Sequence, residues 1–246
     1  ANGVHVGTLN SELTFLNDVH IQEYLENGLH FETIDAPVTF SGSLVRLEQI
    51  GHNGMFLDGG SGSLTLSTER IEISNFGFEG SDEHSGIYLI DTTSIDPFQV
   101  NFDSEIDIEL GNNGASTNHG IYLSNVNVQF THHVSINQVS GHGLWAKNNA
   151  NGSIAFADTQ STLSVIDVAM SGVFLDHVDG TLLFDHEIYV EMAQEYGIEV
   201  DNNIVPLPFN SPIEIHDVSL DGLHIVQNQN TLTFSGQLTI DDVGQN

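Results

Sequence analysis

The chain has 246 residues, with 34 acidic against 3 basic side chains and a formal charge of −31. A surface of that sign repels nucleic acid, anionic membranes and polyanions such as pectate, and favours cations or neutral partners. The absence of cysteine excludes a disulfide framework and a thiolate metal site, and no run of about 18 apolar residues offers a membrane span.

In chain order the first recognisable element is Gly3-Val4-His5-Val6. It returns at Gly28, Gly54, Gly86, Gly120, Gly143, Gly172, Gly197 and Gly222, so the glycines are 25, 26, 32, 34, 23, 29, 25 and 25 residues apart. Each begins a phrase of glycine, apolar, variable and apolar residues, as in Gly86-Ile87-Tyr88-Leu89. A period of that length is the mark of a solenoid or array. A second phrase follows and mostly ends in Phe, as in Leu13-Thr14-Phe15, Val128-Gln129-Phe130 and Leu232-Thr233-Phe234. A third is apolar, variable, apolar, with a further apolar residue three positions on: Ile71-Glu72-Ile73 with Phe76, or Ile213-Glu214-Ile215 with Val218.

Alternation with period two predicts strands, and the intervening Asn, Asp, Gly and Ser clusters predict turns. Three short strands per repeat predict an all-β fold, a right-handed parallel β-helix of about nine coils forming a single domain over residues 1–246. Right-handed winding is expected because parallel crossovers nearly always take that hand. Three coils are long, and their extra residues are expected just before the next glycine, at 79–85, 111–119 and, more diffusely, 157–171. The end of the chain is in phase with its beginning: Ile240 to Gly244 repeats the step from Ile215 to Ser219 that leads into Gly222. That phase predicts either a slice of a longer array or self-association through open coil ends.

The three recurring phrases resemble the right-handed parallel β-helix superfamily, which includes pectin-lyase-like enzymes and bacterial autotransporter passengers. The likeness spans the whole chain. It is nearer in character to the surface-exposed passengers and adhesins, likewise free of cysteine and rich in Asn, Gly, Ser and Asp. What the resemblance implies is export, with a secreted or cell-surface location.

The variable position of the glycine phrase reads His5, His30, Phe56, Tyr88, Tyr122, Trp145, Phe174, Glu199 and His224. Alternation points it to solvent, so Phe56, Tyr88, Tyr122, Trp145 and Phe174 predict an aromatic stripe roughly 20 Å long. Contiguous exposed apolar surface marks an interaction site: a docking strip for a host or cell-surface protein, or a stacking platform for a neutral glycan. The alternative is that the long loops before Gly86 and Gly120 fold across it.

Catalytic readings find less. Gly141-His142-Gly143 matches a short motif of the polygalacturonase-like hydrolases, but the Asn-Thr-Asp phrase that accompanies it there is missing, and Lys147 is the only basic residue within reach. A pectate-lyase reading needs calcium-binding aspartates beside an arginine base, and Arg46 and Arg70 are the only arginines. Glu72 and Asp107 are expected outward on adjacent strands, an acidic pair that a glycosidase could use but that arises readily among so many carboxylates. Acidic turns such as Asp58 to Ser63 and Asp201 to Asn203 offer oxygen ligands for weak calcium binding, without a recurring motif. His5 and His30 share a column and are expected to pack as a neutral ladder; no metal or cofactor is assigned. The resulting expectation is a non-catalytic extracellular structural or adhesive protein that self-associates or continues into flanking coils. The alternative is a protein that binds or cleaves carbohydrate with the stripe.

Overall fold

A computed structural model describes residues 1–80, 82–92, 97–111, 116–148 and 151–244. The described residues are all β, in three nine-stranded parallel sheets. Each sheet takes every third strand of the chain, so the three phrases of the repeat become the three faces of a β-solenoid of about nine coils. Pairing is in register phrase to phrase, with Ile121 opposite Leu144, Val128 opposite Ile154 and Val134 opposite Leu163. No helix is long and apolar enough to cross a membrane.

The recurring glycine is set by close approach between faces of one coil. A Cβ on Gly120 would lie against Ile136 Cγ2, from the third strand of its own coil, and 2.5 Å from the Gly143 carbonyl oxygen of the next. Gly54, Gly86, Gly172 and Gly197 meet the same kind of pair, a β-branched side chain and the following glycine's carbonyl. Glycine is therefore required where the first sheet folds back over the third, and the inward Ile or Val of the third phrase is its steric partner.

The spacing of the third phrase also has a local cause. One residue per coil at the end of that strand is left-handed: Glu23, Gln49, Asn75, Leu110, Gln138, Asp167, Met192, Asp217 and Asp242, with φ between 50° and 63°. A left-handed residue breaks strict alternation, so the next inward position is three residues on instead of two. Ile50, Phe76, Val139, Val168 and Val218 are buried at that position. Such a conformation costs a non-glycine residue about 1–2 kcal/mol, which the burial of the following apolar side chain offsets.

Inside, the second sheet contributes a stacked phenylalanine column. Phe102, Phe130, Phe156, Phe184, Phe209 and Phe234 follow one another with ring centroids 4.6–5.2 Å apart and planes within 14°. The strand spacing of about 4.8 Å sets that distance.

One expected insertion is sharpened in place and another is in part displaced. The extra residues of the coil beginning at Gly143 fall between strands Ser153–Phe156 and Thr162–Val168, at the start of the expected range 157–171. The coil beginning at Gly86 is lengthened in part between His84–Ile90 and Gln99–Phe102, where residues 93–96 lie outside the described residues. In both, the third strand keeps its register with the neighbouring coil, so added length goes into a turn that the ladder does not constrain.

Candidate functional site: the aromatic and histidine face

Strand register brings the variable residues of the glycine phrase into one column on the first sheet. His5 pairs with His30, His30 with Phe56, Phe56 with Tyr88, Tyr88 with Tyr122, Tyr122 with Trp145, and Trp145 with Phe174. All five aromatic residues expected in the stripe are therefore adjacent. Their exposure is lower than alternation implies: Phe56, Tyr88, Tyr122 and Phe174 are half-buried, and Trp145 is only 9% exposed. The rings of Phe56 and Tyr88 stack 5.4 Å apart at 11°, and those of Tyr88 and Tyr122 stack 4.6 Å apart at 12°. Their faces are thus turned along the solenoid axis toward one another, and their edges face outward. Burial pushes the Tyr88 phenol up, and that of Tyr122 up to about 12. Trp145 stands edge-on to Tyr122 at 87° and nearly parallel to Phe174 at 16°, with Lys147 Nζ 4.7 Å from its ring centroid.

Cover for Trp145 and Phe174 comes from a second column, the residue just before each glycine, which sequence reasoning did not single out as a unit. In its first half Asn27 Oδ1 accepts the Asn53 backbone N–H at 3.1 Å, and Asn53 Oδ1 accepts that of Ser85 at 2.7 Å. In its second half histidine does the same work: His119 Nδ1 accepts the His142 N–H at 3.0 Å, and His142 Nδ1 accepts the Ser171 N–H at 3.2 Å. Nδ1 is an acceptor in both rings, so each neutral ring carries its hydrogen on Nε2. Burial is the main cause that lowers the His119 pKa to about 3 and that of His142 to about 4.

These two rings lie over Trp145, at centroid distances of 4.8 and 5.4 Å. The segment before Gly120 therefore does help to bury the stripe, through His119. The segment before Gly86 instead stacks His84 on His52 at 4.6 Å. Residues 81 and 112–115 of the two loops lie outside the described residues. Gly141-His142-Gly143 is accounted for by packing: a Cβ on Gly141 would strike the His119 ring, and one on Gly143 would strike Val165.

The Glu72 and Asp107 pair is adjacent as expected, but both carboxylates are held by arginine. Arg46 Nε donates to Glu72 at 2.6 Å, and Arg70 Nε donates to Asp107 at 2.6 Å. In the turn from Asp58 to Ser63, Asp58 Oδ1 accepts from the Thr92 hydroxyl at 3.0 Å, and the Ser61 N–H is taken by Asp35 at 3.1 Å. At the Asp201 to Asn203 turn, the Asn203 amide donates to Asn228 Oδ1 at 3.2 Å.

Among the described residues, two groups bring three potential metal ligands within 4.8 Å of one another: His5, His30 and Glu32, and His142, Glu195 and Glu199. Burial and then the neighbouring Glu199 push the Glu195 carboxyl up. Glu199 also accepts from the Ser171 hydroxyl at 2.7 Å. Glu32 was legible in principle, since it follows His30 by two residues on one face of a strand. Glu195 was not, because only the stacking of coils sets it near His142. Against family models, curated proteins and solved structures the chain finds no match.

Proposed function

We propose that this chain is a non-catalytic structural or adhesive β-solenoid of a secreted or cell-surface protein. The observation that carries the reading is the arrangement of the outer aromatic column. A sugar platform needs ring faces open to the ligand, whereas Phe56, Tyr88 and Tyr122 present their faces to one another. The distinctive outer residues serve coil-to-coil cohesion, as the inner phenylalanines do. The acidic pair that would suit a glycosidase is neutralised by Arg46 and Arg70, which supports the same reading. The resemblance to bacterial passengers and adhesins supports export. Unpaired edge strands are templates for further pairing, and in this reading copies of the chain add to one another coil on coil.

Electron microscopy and light scattering of the purified protein test this reading. Rods longer than one solenoid, growing with concentration, are the expected result, and a monomer at all concentrations removes self-association from the proposal. Carbohydrate binding is the competing reading, favoured by the half-buried Phe174 in contact with His142, itself grouped with the Glu195 and Glu199 carboxylates. A glycan array would establish it if wild type bound a neutral glycan and Phe174→Ala did not. Release of reducing ends from that glycan would overturn the non-catalytic assignment.

A further inference from the structure

The first two coils meet at a cluster that the structural reading leaves unused. His5 comes from strand Val4–Val6, and His30 and Glu32 come from the neighbouring strand Leu29–Glu32. The imidazoles stack 4.5 Å apart at 20°, and the edge of Phe56 packs on the other side of His30 at 4.7 Å. Glu32 Oε2 lies 3.6 Å from His5 Nε2, and Glu32 Oε1 lies 2.8 Å from His30 Nε2. We propose that His5 Nε2, His30 Nε2 and a Glu32 carboxylate oxygen bind a first-row transition-metal dication, with zinc as the reference case, and that the ion clips the first coil to the second.

The spacing suits such an ion. Ligand atoms about 2.1 Å from a tetrahedral zinc lie about 3.3 Å from each other, and the three donor atoms, already within 4.8 Å of one another, reach that spacing by small side-chain rotations. Two imidazoles and one carboxylate are the donor set of zinc, nickel and copper sites, and water fills the fourth position. Calcium is a poor fit, because it takes six to eight oxygens. His30 Nε2 is enclosed, and the group nearest to it is the Glu32 carboxylate at 2.8 Å. Entry is open, since the side chains of His5 and Glu32 are 47% and 48% exposed, and the net charge of −31 concentrates cations at the surface.

The Asn27 amide beside His30 makes a specific demand. Asn27 Oδ1 is committed to Asn53, so its amide N–H faces His30 Nδ1 at 3.3 Å and places the ring hydrogen on Nε2. Ligation through Nε2 moves that hydrogen to Nδ1, and the Asn27 amide turns to present its oxygen, the usual support for a metal-bound imidazole, releasing the Asn53 backbone N–H and side-chain amide that this oxygen accepts in the metal-free chain. The group of His142, Glu195 and Glu199 is a weaker candidate, because Ser171 already occupies both His142 Nδ1 and Glu199.

The test is titration of the metal-free full chain with Zn²⁺ by calorimetry and with Co²⁺ by visible absorption. Expected is one equivalent bound, with the intense bands of four-coordinate cobalt. His5→Ala and Glu32→Gln, both at exposed positions that leave the core intact, each weaken binding at least tenfold, while Glu195→Gln leaves it unchanged. Ring-nitrogen NMR then shows the His30 hydrogen moving from Nε2 to Nδ1 on Zn²⁺ addition. Binding that survives both His5→Ala and Glu32→Gln, or no stoichiometric binding at micromolar protein, overturns the proposal. A His30 hydrogen that stays on Nε2 in the loaded protein overturns ligation by that ring.

Discussion

Gly120 has no room for a side chain, and its neighbours cannot yield, because one of them is the Gly143 carbonyl. Overpacking of this kind costs about 1–3 kcal/mol, so Gly120→Ala should lower the unfolding free energy obtained from urea titration by that amount. Gly7 is the contrast: a Cβ there meets nothing within 4 Å, and Gly7→Ala should be neutral or stabilising by about 0.4–1 kcal/mol through the unfolded chain. Equal effects at the two positions would remove close approach as the reason for the repeat. Histidine supplies the second prediction at this scale. His119 and His142 have folded pKa values of about 3 and about 4, lowered by burial, against about 6.5 unfolded. A depressed histidine leaves the unfolded state binding more protons below pH 6.5. Its contribution is complete above that pH and is lost as pH falls toward the folded value. Each histidine then removes about 2 kcal/mol between pH 6.5 and 5, at about 1.4 kcal/mol per unit. The variant His119→Asn with His142→Asn keeps a side-chain acceptor for the next coil, as Asn27 and Asn53 already do. Its stability should fall less than that of wild type over this range in pH-resolved denaturation. Parallel curves would show that the two rings do not titrate on unfolding.

At the scale of the element, a strand here is three to seven residues long and holds its place through columns that run across coils. The inner phenylalanine column is the clearest case. Phe156 is fully buried and stacks on Phe130 at 4.6 Å and on Phe184 at 5.2 Å. Phe156→Ala should cost about 3–5 kcal/mol. Phe15, in the same column at the first coil, is partly exposed and stacks on one side only, on Phe40, so Phe15→Ala should cost clearly less. Thermal unfolding of both variants compares them, and equal losses would argue against stacking along the column as the source of cohesion. The apolar columns were readable from period-two alternation in Val128-Gln129-Phe130 and its counterparts. The polar column was not, because Asn27, Asn53, Ser85, His119, His142 and Ser171 share a function without sharing a residue type. Each only needs an acceptor or hydroxyl at the right height to meet the next coil.

Across the whole molecule the three basic side chains are all engaged: Arg46 with Glu72, Arg70 with Asp107, and Lys147 with Asp176 at 4.0 Å and with Trp145. What remains is a body of one sign, which repels itself most strongly when compact. Added sodium chloride should therefore raise the melting temperature between 0.01 and 0.5 M, as the screening length shortens from about 30 Å to a few Å. A flat or falling dependence would mean that the three ion pairs outweigh the net repulsion.

The sequence by itself determined the coil count, the three-sheet division and the identity of the inward columns, because a repeated phrase in a solenoid fixes its own neighbours. Phe56, Tyr88, Tyr122, Trp145 and Phe174 were placed in one column by counting alone, and they are adjacent. Only the tertiary structure decided how those rings are turned, that His119 and His142 close over Trp145, and that Glu32 lies within reach of two stacked histidines. The physical reason is that backbone periodicity specifies which side of a strand a residue occupies. Ring orientation, proton position and the meeting of side chains from different coils depend on packing about 4.8 Å above and below, where the decisive neighbour lies some 25 residues away along the chain.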